Sequence, residues 1–282
     1  MRPSSQRNRR NLRSACNGRL SLNTSADWAT LLPWLLDYVL AHREILLLAP
    51  LGFAGAFIYG ITGFGSALVT IPIGSMFVPL PFTLAVWAVV DLFTAMRIGL
   101  QNPRLAVAGE WMRMVPMVLL GIAIGVTLLV QLPRDAIMFA LGCFALLYAG
   151  YSLLRRSAPG VIDRRWAYAA GLTGGITGTL FGAGGPPYAI YLSLRGLSKE
   201  QYRATLTMTS IFSISLRLTA FSLTGVMLQE GLWLGVLVVL PAAWLGLRVA
   251  SRVFQRISRE LVMRCVALAL LATGVSLIWR AL

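Results

Sequence analysis

Residues 171–193 read GLTGGITGTLFGAGGPPYAIYLS and are apolar enough to lie in a membrane. Their centre, 182–187, contains three glycines and two prolines, and both residue types disfavour the interior of a helix. A helix that is broken at membrane depth leaves backbone groups unpaired, which is tolerated only where the backbone is buried in protein or lines a watery cavity. Carriers use such breaks as binding sites, because half-helix N-termini present free N–H groups to anions. The alternative is a proline kink in a tightly packed helix.

The same glycine pattern occurs earlier in the chain. Four glycines of each copy share an offset of 119 residues: Gly52, Gly55, Gly63 and Gly65 in the first copy and Gly171, Gly174, Gly182 and Gly184 in the second. Ser66 then falls opposite Gly185. A second alignment, which pairs 60–63 with 175–178, is also open. Two halves that each carry a broken hydrophobic segment are typical of transporters.

The composition is that of a membrane protein. The 282 residues are 57% hydrophobic and only 12% charged, which leaves too little polar surface to coat a soluble domain. The net charge is +15, and Lys199 is the single lysine, so nearly all of the positive charge is arginine. No basic face interleaved with aromatic residues lies outside the apolar segments, so we expect no nucleic-acid partner. Positive charge beside apolar segments indicates their orientation in the bilayer instead.

The sequence contains no residue pattern that indicates an enzyme or a metal-binding protein. Cys16, Cys143 and Cys265 are far apart, and His42 is the single histidine, so we expect no metal site and no cofactor. The nucleotide-binding pattern GxxxxGK[ST] is absent, which argues against ATP-driven pumping by this chain. Nothing resembles a nucleophile with its base. We therefore expect no enzyme activity.

We divide the chain into four parts. Residues 1–27 hold six arginines and form a basic tail, predicted to be disordered and cytoplasmic. The first membrane repeat is 28–154, the linker is 155–165, and the second repeat is 166–282. The predicted broken segments are 45–78 and 166–194. The predicted spanning helices are 82–100, 114–130, 136–154, 204–224, 232–247 and 261–279.

Charge in the loops predicts the topology. The loops 101–113, 155–165, 195–203 and 248–264 are rich in arginine, so they are expected on the cytoplasmic side. If all eight apolar segments crossed the membrane in turn, the arginine-rich loop 248–264 would lie outside. If each broken segment instead enters and leaves on the same side, all four arginine-rich loops lie on the cytoplasmic side. The fold class is therefore all-α and polytopic, with two duplicated, inverted halves. Each half has one re-entrant glycine-rich hairpin and three spanning helices, and 28–41 is expected to cross.

Arg217 is the charge that lies deepest in a predicted span. On a helix, Thr205, Thr209 and Ser213 precede it at intervals of four residues and form one polar stripe. A stripe of hydroxyl groups with a guanidinium at its end is suited to binding an oxyanion, because arginine offers a planar fork of donors. The alternative is a structural arginine that pairs with a backbone carbonyl or with Asp91.

The matching span of the first half carries Asp91 and Arg97. Asp91 shares a helical face with Thr94, and it either pairs with Arg217 or carries a proton in coupled transport. Arg97 lies near the end of the span, where a long side chain reaches the interface. We regard both residues as candidates for coupling or gating.

The chain resembles the sulfite exporter TauE/SafE family of membrane permeases over about 46–282. The resemblance rests on the pattern G-x2-G-x7-G-x-G in both halves, with Pro72 shortly after the first copy and Pro186 directly after the second. It implies seven or eight transmembrane segments from a duplicated unit. It also implies secondary transport of sulfur-containing anions such as sulfite or organosulfonates, often in export. Ser66 departs from the family's commonest pattern, which has a glycine there, so the first tip is expected to differ in shape.

We therefore expect a secondary transporter in the inner cell membrane that carries a small anion by alternating access, with possible coupling to protons or another ion. The predicted substrate-binding residues are those of the two tips and of the polar stripe: Gly63, Gly65, Ser66, Gly182, Gly184, Gly185, Pro186, Thr209, Ser213 and Arg217. A passive anion channel and a non-transporting membrane scaffold are the alternatives. In a scaffold, the glycines would serve close helix packing.

Overall fold

The computed structural model describes residues 43–64, 66–154, 162–253 and 259–281. The basic tail, the predicted crossing 28–41, residues 155–161 of the linker and Gly65 lie outside the described residues. Helices account for most of the described chain, and no strand occurs in it, as the predicted all-α fold class requires.

Eleven α-helices lie within the described ranges. In chain order they are α1 (Arg43–Leu46), α2 (Leu48–Thr62), α3 (Ser66–Gly74), α4 (Leu80–Gly99), α5 (Ala108–Gln131), α6 (Arg134–Leu154), α7 (Trp166–Phe181), α8 (Gly185–Ser193), α9 (Lys199–Leu223), α10 (Leu232–Val253) and α11 (Arg259–Ala281). Short 3-10 turns, Pro103–Leu105 and Val226–Leu228, precede α5 and α10.

Five of these helices are long and apolar enough to cross a membrane, namely α4, α5, α6, α9 and α10. The apolar stretch of α11, Arg264–Trp279, is shorter. Large apolar side chains on these helices face outward, and Leu147, Leu154 and Leu223 are 75–83% exposed. Such surfaces are stable against lipid and not in water. The prediction of a polytopic membrane protein is confirmed.

Each broken segment folds back on itself. In the second half, the Ile162 N–H before α7 donates to the Leu194 carbonyl after α8 at 3.1 Å. In the first half, Gly74 at the end of α3 lies beside Leu48 at the start of α2. Helices α3 and α8 have nine residues each, so each is about 14 Å long and too short for a hydrocarbon core of about 30 Å. Each broken segment is thus a helical hairpin, and its re-entry from one side of the membrane stays a prediction.

The two breaks match at the 119-residue offset. Helix α2 is followed by Gly63 with φ of 80°, and α7 is followed by Gly182 with φ of 67°, both left-handed conformations that glycine adopts readily. The helices after the breaks begin at Ser66 and Gly185, which have the same offset. The structure therefore favours this register over the alternative that pairs 60–63 with 175–178.

Packing between the halves is reciprocal. Helix α5 of the first half packs on α7 of the second, and α10 of the second packs on α2 of the first. Glycines make both contacts close, because a side chain on Gly121 would meet the α7 backbone and one on Gly246 would meet the backbone of Phe53. This pairing is what a pseudo-two-fold relation between two duplicated halves produces. The duplication of the halves and their inverted orientation in the membrane stay predictions.

A buried ion pair fixes the outer end of α8 to the start of α5. Glu110, with a side chain 5% exposed, accepts from Arg195 Nη2 at 3.0 Å and also from the Tyr191 hydroxyl. The same arginine donates to the Ile162 carbonyl, so it joins the two ends of the hairpin as well. The hairpin is thereby held at its base, which leaves its tip to face the neighbouring helices.

Replacing Arg195 with alanine should destabilise the protein by about 3–5 kcal/mol, because it leaves a buried carboxylate without its cation. The matched control is Arg164→Ala, since Arg164 lies 3.7 Å from the same carboxylate but is 63% exposed and should contribute about 0–1 kcal/mol. Thermal unfolding in detergent compares the two variants. Equal melting temperatures would contradict the structural role of the buried pair.

Candidate functional site

A buried polar cavity lies between the two helix breaks. Ser66 and Ala67 at the start of α3 line it from one side, and Gly182 and Gly184 line it from the other. The tips touch each other, since an added Cβ on Gly182 would lie 2.9 Å from the Ala67 Cβ. The free volume of this space, the central cavity, is about 40 Å³. The structure thus brings the two predicted glycine tips to one place.

The first turn of α3 faces the central cavity through Ser66, Ala67 and Leu68. The first four N–H groups of a helix have no acceptor within that helix, and the helix dipole is positive at this end. The first turn of α8 contributes Gly185 and Pro186, and proline suits this position because its missing N–H would be unpaired anyway. The α3 terminus therefore offers more amide donors to a bound anion.

Threonine side chains stabilise both breaks. The Thr62 hydroxyl bonds to the Phe64 carbonyl in the first break. In the second, the Thr177 hydroxyl donates to the Ala183 carbonyl at 3.0 Å and to the Thr173 carbonyl at 2.8 Å. The Phe64 and Ala183 carbonyls lie in the breaks, outside any helix, so these bonds give them partners that no helix provides.

Helix α9 carries the cationic group into the cavity. Its N-terminus is fixed by a capping box, in which the Ser198 hydroxyl accepts from the Gln201 N–H and the Gln201 side chain accepts from the Ser198 N–H. One turn further on, the Thr205 hydroxyl accepts from the Val107 N–H at 2.9 Å, which ties α9 to the start of α5. The helix register then places Ser210, Ser213 and Arg217 on the cavity wall.

Arg217 is 3% exposed, and its guanidinium has a donor to spare. One amino group donates to the carbonyl of Gly178 in the last turn of α7, where the helix dipole is negative. The Nε atom is buried and has no hydrogen-bond partner among the described residues. A buried, unpaired donor is costly unless something else accepts from it. Arg217 lines the central cavity, so its positive charge is available to an anion bound there.

Asp91 brings a carboxyl group to the same cavity, and it is 5% exposed. The Ser66 hydroxyl donates to its Oδ1 atom, which links α4 to the first tip. Asp91 and Arg217, both within the described chain, do not form an ion pair within 4.0 Å. Asp91 therefore bonds to Ser66 of the first tip rather than to the arginine, although both line one small space.

Two tyrosines complete the wall and were not predicted from the sequence. The Tyr188 hydroxyl is 3.0 Å from the Ser213 hydroxyl, so it connects α8 to α9. Tyr59 lines the cavity from the last turn of α2, with its side chain buried. A signal was available in the sequence, because each tyrosine lies in an otherwise apolar segment within four residues of a break.

Some predicted site residues lie elsewhere. Thr209 is buried and donates to the Thr205 carbonyl at 2.8 Å, away from the cavity wall. Gly63 closes α2 through its N–H, which donates to the Tyr59 carbonyl at 2.7 Å. Arg97 lines a different pocket, described below. Gly65 lies outside the described residues.

Paired helix breaks that face a buried polar cavity are typical of membrane transporters. The chain belongs to the sulfite exporter TauE/SafE family, whose sequence profile matches residues 48–277. It is similar to the probable inner membrane transporter protein TsaS of Comamonas testosteroni, with 28% identity over 177 residues, which cover 58% of this chain and 71% of that protein. No solved structure matches the chain. The predicted family resemblance is confirmed.

Proposed function

We propose that the protein is a secondary transporter of the inner cell membrane that carries a small sulfur-containing anion, such as sulfite or an organosulfonate, by alternating access. One observation carries the proposal: a buried cavity between two re-entrant tips is lined by Arg217, whose Nε atom lacks a partner. The family and the relative named above support a sulfur anion and the inner membrane. We retain the cytoplasmic placement of the basic tail as part of this proposal.

The size of the central cavity favours a compact oxyanion. The cavity volume of about 40 Å³ is roughly three to four times the 10–15 Å³ that one water molecule requires by this kind of measure. Sulfite consists of one sulfur and three oxygens, whereas taurine adds two carbons and an amine. An organosulfonate therefore requires the two tips to separate further than sulfite does.

Charge balance in the cavity suggests how transport is coupled. Asp91 and Arg217 carry opposite charges, so an entering anion leaves a net negative charge in a buried space. Buried charge without compensation is strongly unfavourable. Uptake of a proton by Asp91 would restore neutrality, and Ser66 could still bond to the neutral carboxyl group. We infer that anion and proton move together.

The proposal is tested by uptake of radiolabelled sulfite, taurine and sulfoacetate into proteoliposomes, with and without a pH gradient. We expect uptake of at least one of them, stimulated when the acidic side is the side from which the anion leaves. Absence of uptake of all three by folded protein would contradict the assignment to sulfur anions. Empty liposomes provide the background rate.

Asp91→Asn should separate exchange from accumulation. The amide is permanently neutral, so the anion can still bind and exchange, but no proton moves with it. We expect exchange of labelled for unlabelled anion to persist within about threefold, while accumulation driven by the pH gradient is lost. Retained gradient-driven accumulation would exclude Asp91 as the proton carrier.

A further inference from the structure

A second pocket, of about 240 Å³, lies beyond the first helix break and has a strongly positive lining. Three arginines line it, from three helices: Arg97 of α4, Arg203 of α9 and Arg248 of α10. Trp244 and Ser251 of α10 also line it, and no carboxylate is among the lining residues. We call this space the arginine pocket. Its charge and size suit an anion larger or more hydrated than one that fits the central cavity.

The arginines are held by the fold. The Arg248 guanidinium lies 3.8 Å from the centroid of the Trp244 ring, in a cation–π contact. Arg203 is partly buried and donates to the carbonyl of Gly60 at 3.3 Å. Gly60 is in the last turn of α2, so Arg203 caps the negative end of this helix much as Arg217 caps α7.

An apolar cluster has members on the walls of both spaces. Tyr59 and Ile98 belong to one small hydrophobic cluster, against which Ile214 and Leu247 pack. Tyr59 and Ile214 line the central cavity, whereas Ile98 and Leu247 line the arginine pocket. We call these four side chains the gate, because two of them line the central cavity and the other two line the arginine pocket.

We propose that the arginine pocket is a vestibule that collects the transported oxyanion, and that the gate closes the path between the vestibule and the central cavity. The identity of the cargo rests on the proposed function, but the binding of an oxyanion in the vestibule does not. Its three arginines, Arg97, Arg203 and Arg248, lie within or next to the arginine-rich loops 101–113, 195–203 and 248–264. The vestibule is therefore assigned to the predicted cytoplasmic side.

Thiol labelling tests the vestibule without transport. In a background with Cys16, Cys143 and Cys265 changed to serine, Ser251→Cys is placed in phosphatidylcholine nanodiscs and treated with the sulfonate-bearing 2-sulfonatoethyl methanethiosulfonate or with its trimethylammonium counterpart. Ser222→Cys, at an exposed position with no Lys or Arg between 218 and 247, is the matched control. The ratio of anionic to cationic labelling rates is compared between the two cysteines.

We expect the ratio at Ser251→Cys to exceed the control by about tenfold or more, since a cleft of one charge concentrates counterions to this extent. The excess should fall in about 1 M salt, where the Debye length is about 3 Å, and on adding Arg97→Gln with Arg248→Gln. Equal ratios at the two cysteines would overturn the vestibule. Loss of the excess in phosphatidylglycerol nanodiscs would assign the pocket to a lipid phosphate and also overturn it.

Transport kinetics test the path. For anion presented on the vestibule side, Arg97→Gln with Arg248→Gln should raise KM by about tenfold and leave the maximal rate within about twofold. Arg104→Gln, an exposed arginine outside both cavities, should change neither. Unchanged KM in the double variant would remove the pocket from the path. Anion-selective labelling without transport of any sulfur anion would support the vestibule while rejecting the proposed cargo.

Discussion

Arg217→Gln should abolish anion uptake by proteoliposomes while the protein still inserts and folds. The glutamine amide can donate to the Gly178 carbonyl, so the end of α7 keeps a partner, but the positive charge of the cavity is gone. Hydrogen bonds to charged groups contribute about 1.5–3 kcal/mol, so the loss of one corresponds to a fall in affinity of about 10- to 150-fold. Uptake of labelled sulfite and the elution profile in detergent provide the two readouts.

Arg217→Lys and Arg104→Gln complete this experiment. Lysine keeps the charge but not the planar fork of donors, so we expect partial activity. Arg104→Gln removes an exposed arginine outside the cavity and should transport normally. Normal uptake by Arg217→Gln would assign this arginine a purely structural role as a helix cap.

Gly182→Ala should impair both stability and transport. Gly182 has φ of 67°, and a side chain in this conformation costs about 1–2 kcal/mol. The added Cβ would also lie 2.9 Å from the Ala67 Cβ and 3.0 Å from the Ile71 Cγ1, which forces the two tips apart at a further cost of about 1–3 kcal/mol. We expect a lower melting temperature and little or no uptake.

Gly225→Ala is the matched control for Gly182→Ala. Gly225 has φ of 77°, but an added Cβ would meet no atom within 4 Å. This variant therefore has the backbone cost without the collision, so it should be mildly destabilised and active. If both variants lost the same stability and kept the same transport rate, close contact between the tips would not matter for function.

The sequence predicted the features that depend on backbone chemistry. Glycine and proline at 182–187 indicated the break because they cannot continue a helix, and the arginine-rich loops indicated the fold-back because charge in loops follows topology. Arg217 was found for a similar reason, since a charge far from either end of an apolar segment is unfavourable without a role. Each of these signals is local and does not require knowledge of the packing.

Contacts between side chains of different helices could not be predicted from the sequence, because they depend on which helices become neighbours. Tyr188 reaches Ser213 only because α8 folds back beside α9, and Ser66 reaches Asp91 only because α3 lies against α4. The residues of the polar stripe of α9 have different surroundings for the same reason. The Thr209 hydroxyl donates to the Thr205 carbonyl of its own helix, whereas Ser213 and Arg217 line the central cavity.

Counterflow of sulfite tests the central claim most directly. Proteoliposomes are loaded with unlabelled sulfite and diluted into a trace of labelled sulfite, with no other gradient present. A carrier that alternates its access should accumulate label transiently above equilibrium, and Arg217→Gln should not. Equilibration of label without an overshoot, at rates far above those of carriers, would identify a passive channel and contradict alternating access through the central cavity.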